Sequence, residues 1–200
     1  MPISAEDVKK LRDKTGQSMM ECKKALEASG GNADKAIEIL RTKGLATAQK
    51  RAGRVAAQGR IHAYIHHNGR VGVIVEVDCE TDFVAKNETF QTFLNDLCLH
   101  ICALGPICVR REEIPPEIIE REKRIARDQV AGKKPDNVIE KIVAGKLGKW
   151  CAENVLLEQP FVKDQERTVQ AVLTELIAKT GENIVIRRFA RFEVGETAAG

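Results

Sequence analysis

The stretch Val75-Glu76-Val77-Asp78-Cys79-Glu80-Thr81-Asp82-Phe83-Val84-Ala85-Lys86-Asn87 begins as strand and ends as helix. Val71, Val73, Val75 and Val77 alternate with other residues, which is the period of a half-buried strand. Thr81 or Asp82 can cap the helix behind it and take up its first free N–H groups. Two acids and an aromatic, Glu80, Asp82 and Phe83, mark the junction. Phe83 has two readings. Turned inward, it is core and Asp82 only caps. Turned outward, it is an anchor for a partner's pocket, because buried aromatics carry much of an interface's energy.

The strand has an upstream mate. Ile61, Ala63 and Ile65 alternate ahead of Asn68-Gly69, a turn signal, so residues 61–78 read as a hairpin. A two-residue Asn-Gly loop sets His66 opposite Val71 and Tyr64 opposite Val73, mixing polar and apolar side chains on one face. A three-residue loop over 67–69 sets Ile65 opposite Val71 and Ala63 opposite Val73. The period-2 rule favours the second register, with Gly69 in the left-handed position and His62, Tyr64 and His66 as polar cover on the other face. A metal on that histidine face lacks a carboxylate or cysteine partner.

Downstream, helical spacing of Phe90, Leu94, Leu97 and Ile101 predicts a helix over 84–104, ended by Gly105-Pro106. Charged helix follows over 117–130. Another helix opens at Pro135-Asp136 and continues through Trp150 to about Leu157, and the last runs over 168–179 to Gly181. Residues 183–194 read as a third strand. In it Ile184 and Ile186 share one face, Phe189 takes the other and Phe192 returns, so the phase changes near Arg187-Arg188. Two aromatics on so small a sheet are core or a subunit interface. Gly145, Lys146, Gly148 and Lys149 lack the order of a phosphate loop.

Residues 1–45 predict three short helices. Ser4 with Asp7 and Ser18 with Glu21 are capping-box patterns, Asn32 caps the third helix, and Gly16, Gly30-Gly31 and Gly44 are the stops. Met19 and Met20 diverge by about 100°, so one of them sits near the surface. Residues 46–60 are Ala-rich and carry Lys50, Arg51, Arg54 and Arg60 with no acid, a solvated helical linker loosened at Gly53 and Gly59. A basic stretch can touch RNA, but no aromatic is interleaved for base stacking.

The whole chain is 200 residues with a net charge of +3, too small to argue for nucleic acid. No apolar run has the length of a membrane helix, and the N-terminus lacks a secretory signal, so the expected compartment is the cytoplasm. Six cysteines, none in C-x-x-C, read as small buried hydrophobes. Cys98, Cys102 and Cys108 with His100 fall short of a zinc pattern. No nucleophile elbow, phosphate loop or paired acid is found, so the inventory excludes the common enzymes and calls for no metal or cofactor.

Three separated motifs, in order, carry a family resemblance. Thr81-Asp82-Phe83-Val84-Ala85-Lys86-Asn87 resembles the signature of elongation factor Ts, the guanine-nucleotide exchange factor for elongation factor Tu. Thr15-Gly16, Met19-Met20-Glu21-Cys22-Lys23-Lys24-Ala25-Leu26 and Ala36-Ile37-Glu38-Ile39-Leu40-Arg41 resemble that family's N-terminal domain, which is similar to a ubiquitin-associated domain. Arg187-Arg188-Phe189-Ala190-Arg191-Phe192-Glu193-Val194-Gly195 resembles its closing strand. The resemblance implies that Thr81, Asp82, Phe83 and Val84 displace magnesium from elongation factor Tu. It also implies that Lys9, Arg12, Met19 and Met20 touch the GTPase domain, with no direct nucleic-acid contact required.

The expected fold is α+β. A three-helix ubiquitin-associated-like domain (1–45) and a basic helical linker (46–60) precede an α+β core (61–195), in which helices pack on a small three-stranded antiparallel sheet; a tail follows (196–200). Longer family members build the core from two related halves. One sheet-forming unit is visible here, so a homodimer through the core sheet is a second expectation. No cysteine lies in the last strand to link it.

Overall fold

A computed structural model describes residues 3–130 and 135–196. The fold is α+β, as expected: among the described residues, eight α-helices, a three-stranded antiparallel sheet and a two-stranded one. The expected tail lies, apart from Glu196, outside the described residues. No helix among the described residues is long and apolar enough to cross a membrane. The chain divides into two compact units, Met1–Arg60 with Val77–Gln91 and Ala171–Val185, and Ile61–Glu76 with Thr92–Gln170 and Ile186–Gly200.

The first unit opens with α1 (Ala5–Thr15), α2 (Met19–Ala28) and α3 (Ala33–Arg51). Their caps are those the sequence marks. Ser4, Ser18 and Asn32 accept the N–H groups of Asp7, Glu21 and Lys35 at 3.1, 3.2 and 3.0 Å. Val8, Leu11, Cys22, Ala25, Leu26, Ala36 and Leu40 make one small core. Gly44 does not end α3. It is buried inside the helix, and a Cβ there would lie 3.5 Å from the Cβ of Ala178 on α8 (Val169–Thr180). Interior glycine costs about 1 kcal/mol of helix propensity, and the added Cβ would make only ordinary van der Waals contact there. The expected helical linker is accordingly half helix, to Arg51, and strand from Gln58.

The sheet runs β1 (Gln58–Ile65), β2 (Val71–Cys79) and β5 (Val185–Glu193), in the order β1-β2-β5. On β2 the predicted alternation holds, with Val73, Val75, Val77 and Cys79 buried. The favoured hairpin register does not hold. His66 N–H donates to Val71 O (2.8 Å), and at the far end of the pair Gly59 lies against Asp78, so the alternative register stands. Gly69, at φ 68°, turns the loop. The polar face of β1 goes inward because its groups find partners there. His62 bonds Asn95 Oδ1 on α5 (Glu88–Leu104) at 2.9 Å, and Tyr64 Oη bonds His66 Nδ1 at 3.1 Å. Ile61 and Ile65 are left exposed on the outer face. Entering β5 the phase changes near Arg187-Arg188 as expected: Ile184, just ahead of the strand, and Ile186 are buried, then Phe189 is half-buried between exposed Arg188 and Ala190. Phe192, expected back on the face of Ile186, is exposed because the shift carries it to the outer face.

The second unit adds α6 (Pro116–Asp128) and α7 (Asp136–Asn154), then a 3-10 turn over Leu156–Glu158 where helix was expected. β3 (Pro160–Phe161) and β4 (Asp164–Thr168) pair as a small ribbon that periodicity did not reveal. All six cysteines are free thiols, and burial pushes Cys98 up to about 12 and Cys108 up to about 11.

His100, set aside in the sequence as a zinc ligand, is fully buried. Its Nδ1 accepts the N–H of Val162 (3.1 Å), so Nε2 carries the proton and donates to Gln159 Oε1 (2.9 Å); Gln159 in turn donates to Glu153 O (2.7 Å). Phe161 stacks on the ring. Burial lowers the pKa of His100 below its usual 6.5. The unfolded chain therefore binds the proton first as pH falls, and stability contributed by the neutral ring is full above about 6.5 and lost below it. Unfolding free energies from denaturant titrations between pH 7.5 and 5 should fall more steeply for wild type than for His100→Gln, by up to about 1.4 kcal/mol per pH unit. Parallel curves would show that His100 does not titrate this way.

Candidate functional site

The strand-to-helix junction is built by hydrogen bonds on both sides of Thr81. Behind it, β2 ends at Cys79, whose thiol donates to Thr81 O at 3.1 Å. Ahead of it, Thr81 is the N-cap of α4 (Asp82–Lys86), with its hydroxyl accepting the N–H of Val84 at 3.4 Å. The predicted helix over 84–104 is two helices, because α4 stops at Asn87. That residue is extended, and its side chain accepts the N–H of Thr89 (2.8 Å), capping α5 instead of continuing α4.

Phe83 lies on this short helix with 81% of its surface exposed. Of the two readings, the ring turned outward is the one observed. Ala85 fills the inward position, and Val84 is half-buried. Asp82 is exposed and ion-paired with Lys86 across one turn (2.7 Å), which holds its carboxyl below the usual carboxylate range.

A second set of groups fixes the turn from below. α8 ends at Gly181 (φ 71°), and the next residue, Glu182, turns its carboxylate to the junction. Its Oε2 accepts the N–H groups of Glu80 (3.2 Å) and Thr81 (3.1 Å), and its Oε1 accepts the Thr81 hydroxyl (2.6 Å). Glu80 answers in the other direction. Its Oε1 accepts the N–H of Asn183 (2.6 Å) and its Oε2 faces Arg54 (3.4 Å). The Asn183 N–H is the main reason the Glu80 carboxyl is held below its ordinary value, with Arg54 adding to it. Asn183, buried, donates to Arg54 O at 2.7 Å. Sequence reasoning missed Glu182, Asn183 and Arg54. The only local signal was a polar pair between a glycine helix stop and a strand.

The other expected residues lie on the N-terminal helices of the same unit. Lys9 and Arg12 are exposed on α1. Met19 and Met20 are both exposed on α2, at 42% and 62%, where one was expected near the surface; Cys22, Ala25 and Leu26 fill the core.

Fold and site describe an α+β protein that holds a bare aromatic ring outward on a strand-to-helix turn tied down from two sides. A family model described as elongation factor TS matches residues 5–196. The elongation factor Ts of Moorella thermoacetica is 56% identical over 195 residues, 97% of this chain and 96% of its own. Those of Geotalea uraniireducens and Thermodesulfovibrio yellowstonii are 54% and 55% identical, covering 93% and 98% of their own lengths. The chain belongs to the elongation factor Ts family, the translation elongation factors of that name.

Proposed function

We propose that the chain is a guanine-nucleotide exchange factor for elongation factor Tu. It binds the GDP form, disturbs the magnesium and phosphate site and promotes GDP release so that GTP can enter. The observation that carries this reading is the exposed ring of Phe83 on its anchored turn. A GTPase holds its nucleotide through backbone amides and through Mg²⁺ bridging phosphate to protein. A partner that binds the empty form more tightly than the loaded one weakens nucleotide by the same factor that nucleotide weakens it. Such a partner needs no covalent step and no cofactor of its own.

In this reading Phe83 wedges between helices of the GTPase domain. Asp82 orients the insertion and perturbs the metal-side groups, while Thr81 and Val84 hold the turn. The three N-terminal helices act as a ubiquitin-associated-like docking module, with Lys9, Arg12, Met19 and Met20 on a second face of the GTPase domain. The compartment is that of translation, the cytoplasm. Release of a fluorescent GDP analogue from elongation factor Tu tests the reading. The chain should speed release many-fold, and added GDP should compete with the complex. A chain that binds without speeding release, undisturbed by GDP, is an adaptor.

The outer sheet face favours self-association as well. Ile61, Ile65, Ile74 and Phe192 are exposed there within one unit, beside the Glu76–Arg188 ion pair. A second copy laid on this face covers all four. Light scattering at micromolar concentration should then give twice the mass of the chain; a monomer that still promotes exchange removes this part.

A further inference from the structure

The crossed carboxylates beneath the junction suggest a role for a residue far from it in sequence. We infer that Glu182 is a positioning residue for the Phe83 wedge, acting through the Glu80–Thr81 backbone; this rests on the exchange reading above. Three donors converge on one carboxylate: two consecutive backbone N–H groups and the hydroxyl that caps the wedge helix. These are charge-assisted bonds, roughly twice as strong as neutral ones, and they leave the turn little freedom. The second carboxylate runs the opposite way, from Glu80 to the N–H of Asn183, so the segments 80–81 and 182–183 hold each other. Glu182 thus fixes the start of α4 through Thr81, its N-cap. A ring that must displace packed helices of a partner delivers its binding energy only if its base does not yield. A free turn would let the ring swing aside, and small misplacements of reacting or docking groups cost large factors in rate.

Glu182 is far from a mere core acid in its consequences, and epistasis separates the two. Glu182→Ala should lower the maximal rate of GDP release by about tenfold or more. It should cost little more in a chain that already carries Phe83→Ala, because both changes remove the same wedge. On the free chain, amide hydrogen exchange at Glu80 and Thr81 should quicken at least about tenfold while α1–α3 keep their protection. Glu182→Gln, whose side-chain oxygen still accepts from the two amides, should stay within about threefold of wild type. If alanine prevents folding, Glu182→Asp replaces it, since its shorter side chain withdraws the acceptor from the same amides. Equal losses in the wild-type and Phe83→Ala backgrounds, or unchanged exchange at the two amides, overturn the positioning role. A wild-type chain that leaves GDP release unchanged overturns the exchange reading and, with it, the role. A wild-type chain that speeds release while Glu182→Ala is as fast overturns the positioning role alone.

Discussion

Phe83→Ala should abolish most of the stimulated GDP release while leaving the fold intact. The two halves of this expectation come from one observation, the 81% exposure of the ring. An exposed side chain contributes little to folding, so the substitution should stay within about 0.5 kcal/mol, or roughly 1–2 °C in melting temperature. The same ring, buried in a partner, belongs to the class of aromatic anchors whose truncation costs about 2 kcal/mol or more, at least about 30-fold. Stopped-flow release of the GDP analogue, with calorimetry on the free chain, reads both. A variant that melts far below wild type would mean that the ring supports the fold. One that is stable and fully active would put the wedge elsewhere on the chain.

The junction was legible in the sequence to the extent that its determinants are local. Alternating valines and a threonine cap act over a few residues, and so do the caps at Ser4, Ser18 and Asn32. What escaped depends on partners distant in the chain. Glu182 meets Glu80 and Thr81 across about a hundred positions, and no periodicity joins them. The inward turn of His62 depends on Asn95, 33 residues on. Without that partner in view, burying the apolar row of β1 was the better physical guess, and it was wrong for a reason that can be named. A polar face with its hydrogen bonds satisfied can lie inward as safely as an apolar one. The direction of Phe83 was open for the same kind of reason: a helix of five residues has no periodicity from which a face can be read.

Gly53 and Gly59 read alike in the sequence, as loosened ends of a linker, and they should behave oppositely when replaced. Gly59, the second residue of β1, has φ 153°, a backbone region that side chains rarely enter. A Cβ there would sit 2.4 Å from Val77 O and 2.7 Å from Asp78 Cα. Both atoms are main chain of β2, so neither can swing aside, and the strands must part where β2 leads into the Thr81 turn. Gly59→Ala should therefore cost about 3 kcal/mol, through backbone strain and overpacking together. In a chain of this size that is a fall of roughly 6–12 °C in melting temperature. GDP release should slow as well, because the displaced strand leads into the turn that carries Phe83, the proposed wedge. At Gly53 an added Cβ meets nothing within 4 Å and φ is not positive. Gly53→Ala should be neutral or stabilising by up to about 1 kcal/mol, through reduced freedom of the unfolded chain. Thermal melts of the two variants side by side decide the matter. Similar values would mean that the start of β1 is free to shift, and that the close approach of Gly59 to Val77 does not hold the strand that carries Phe83.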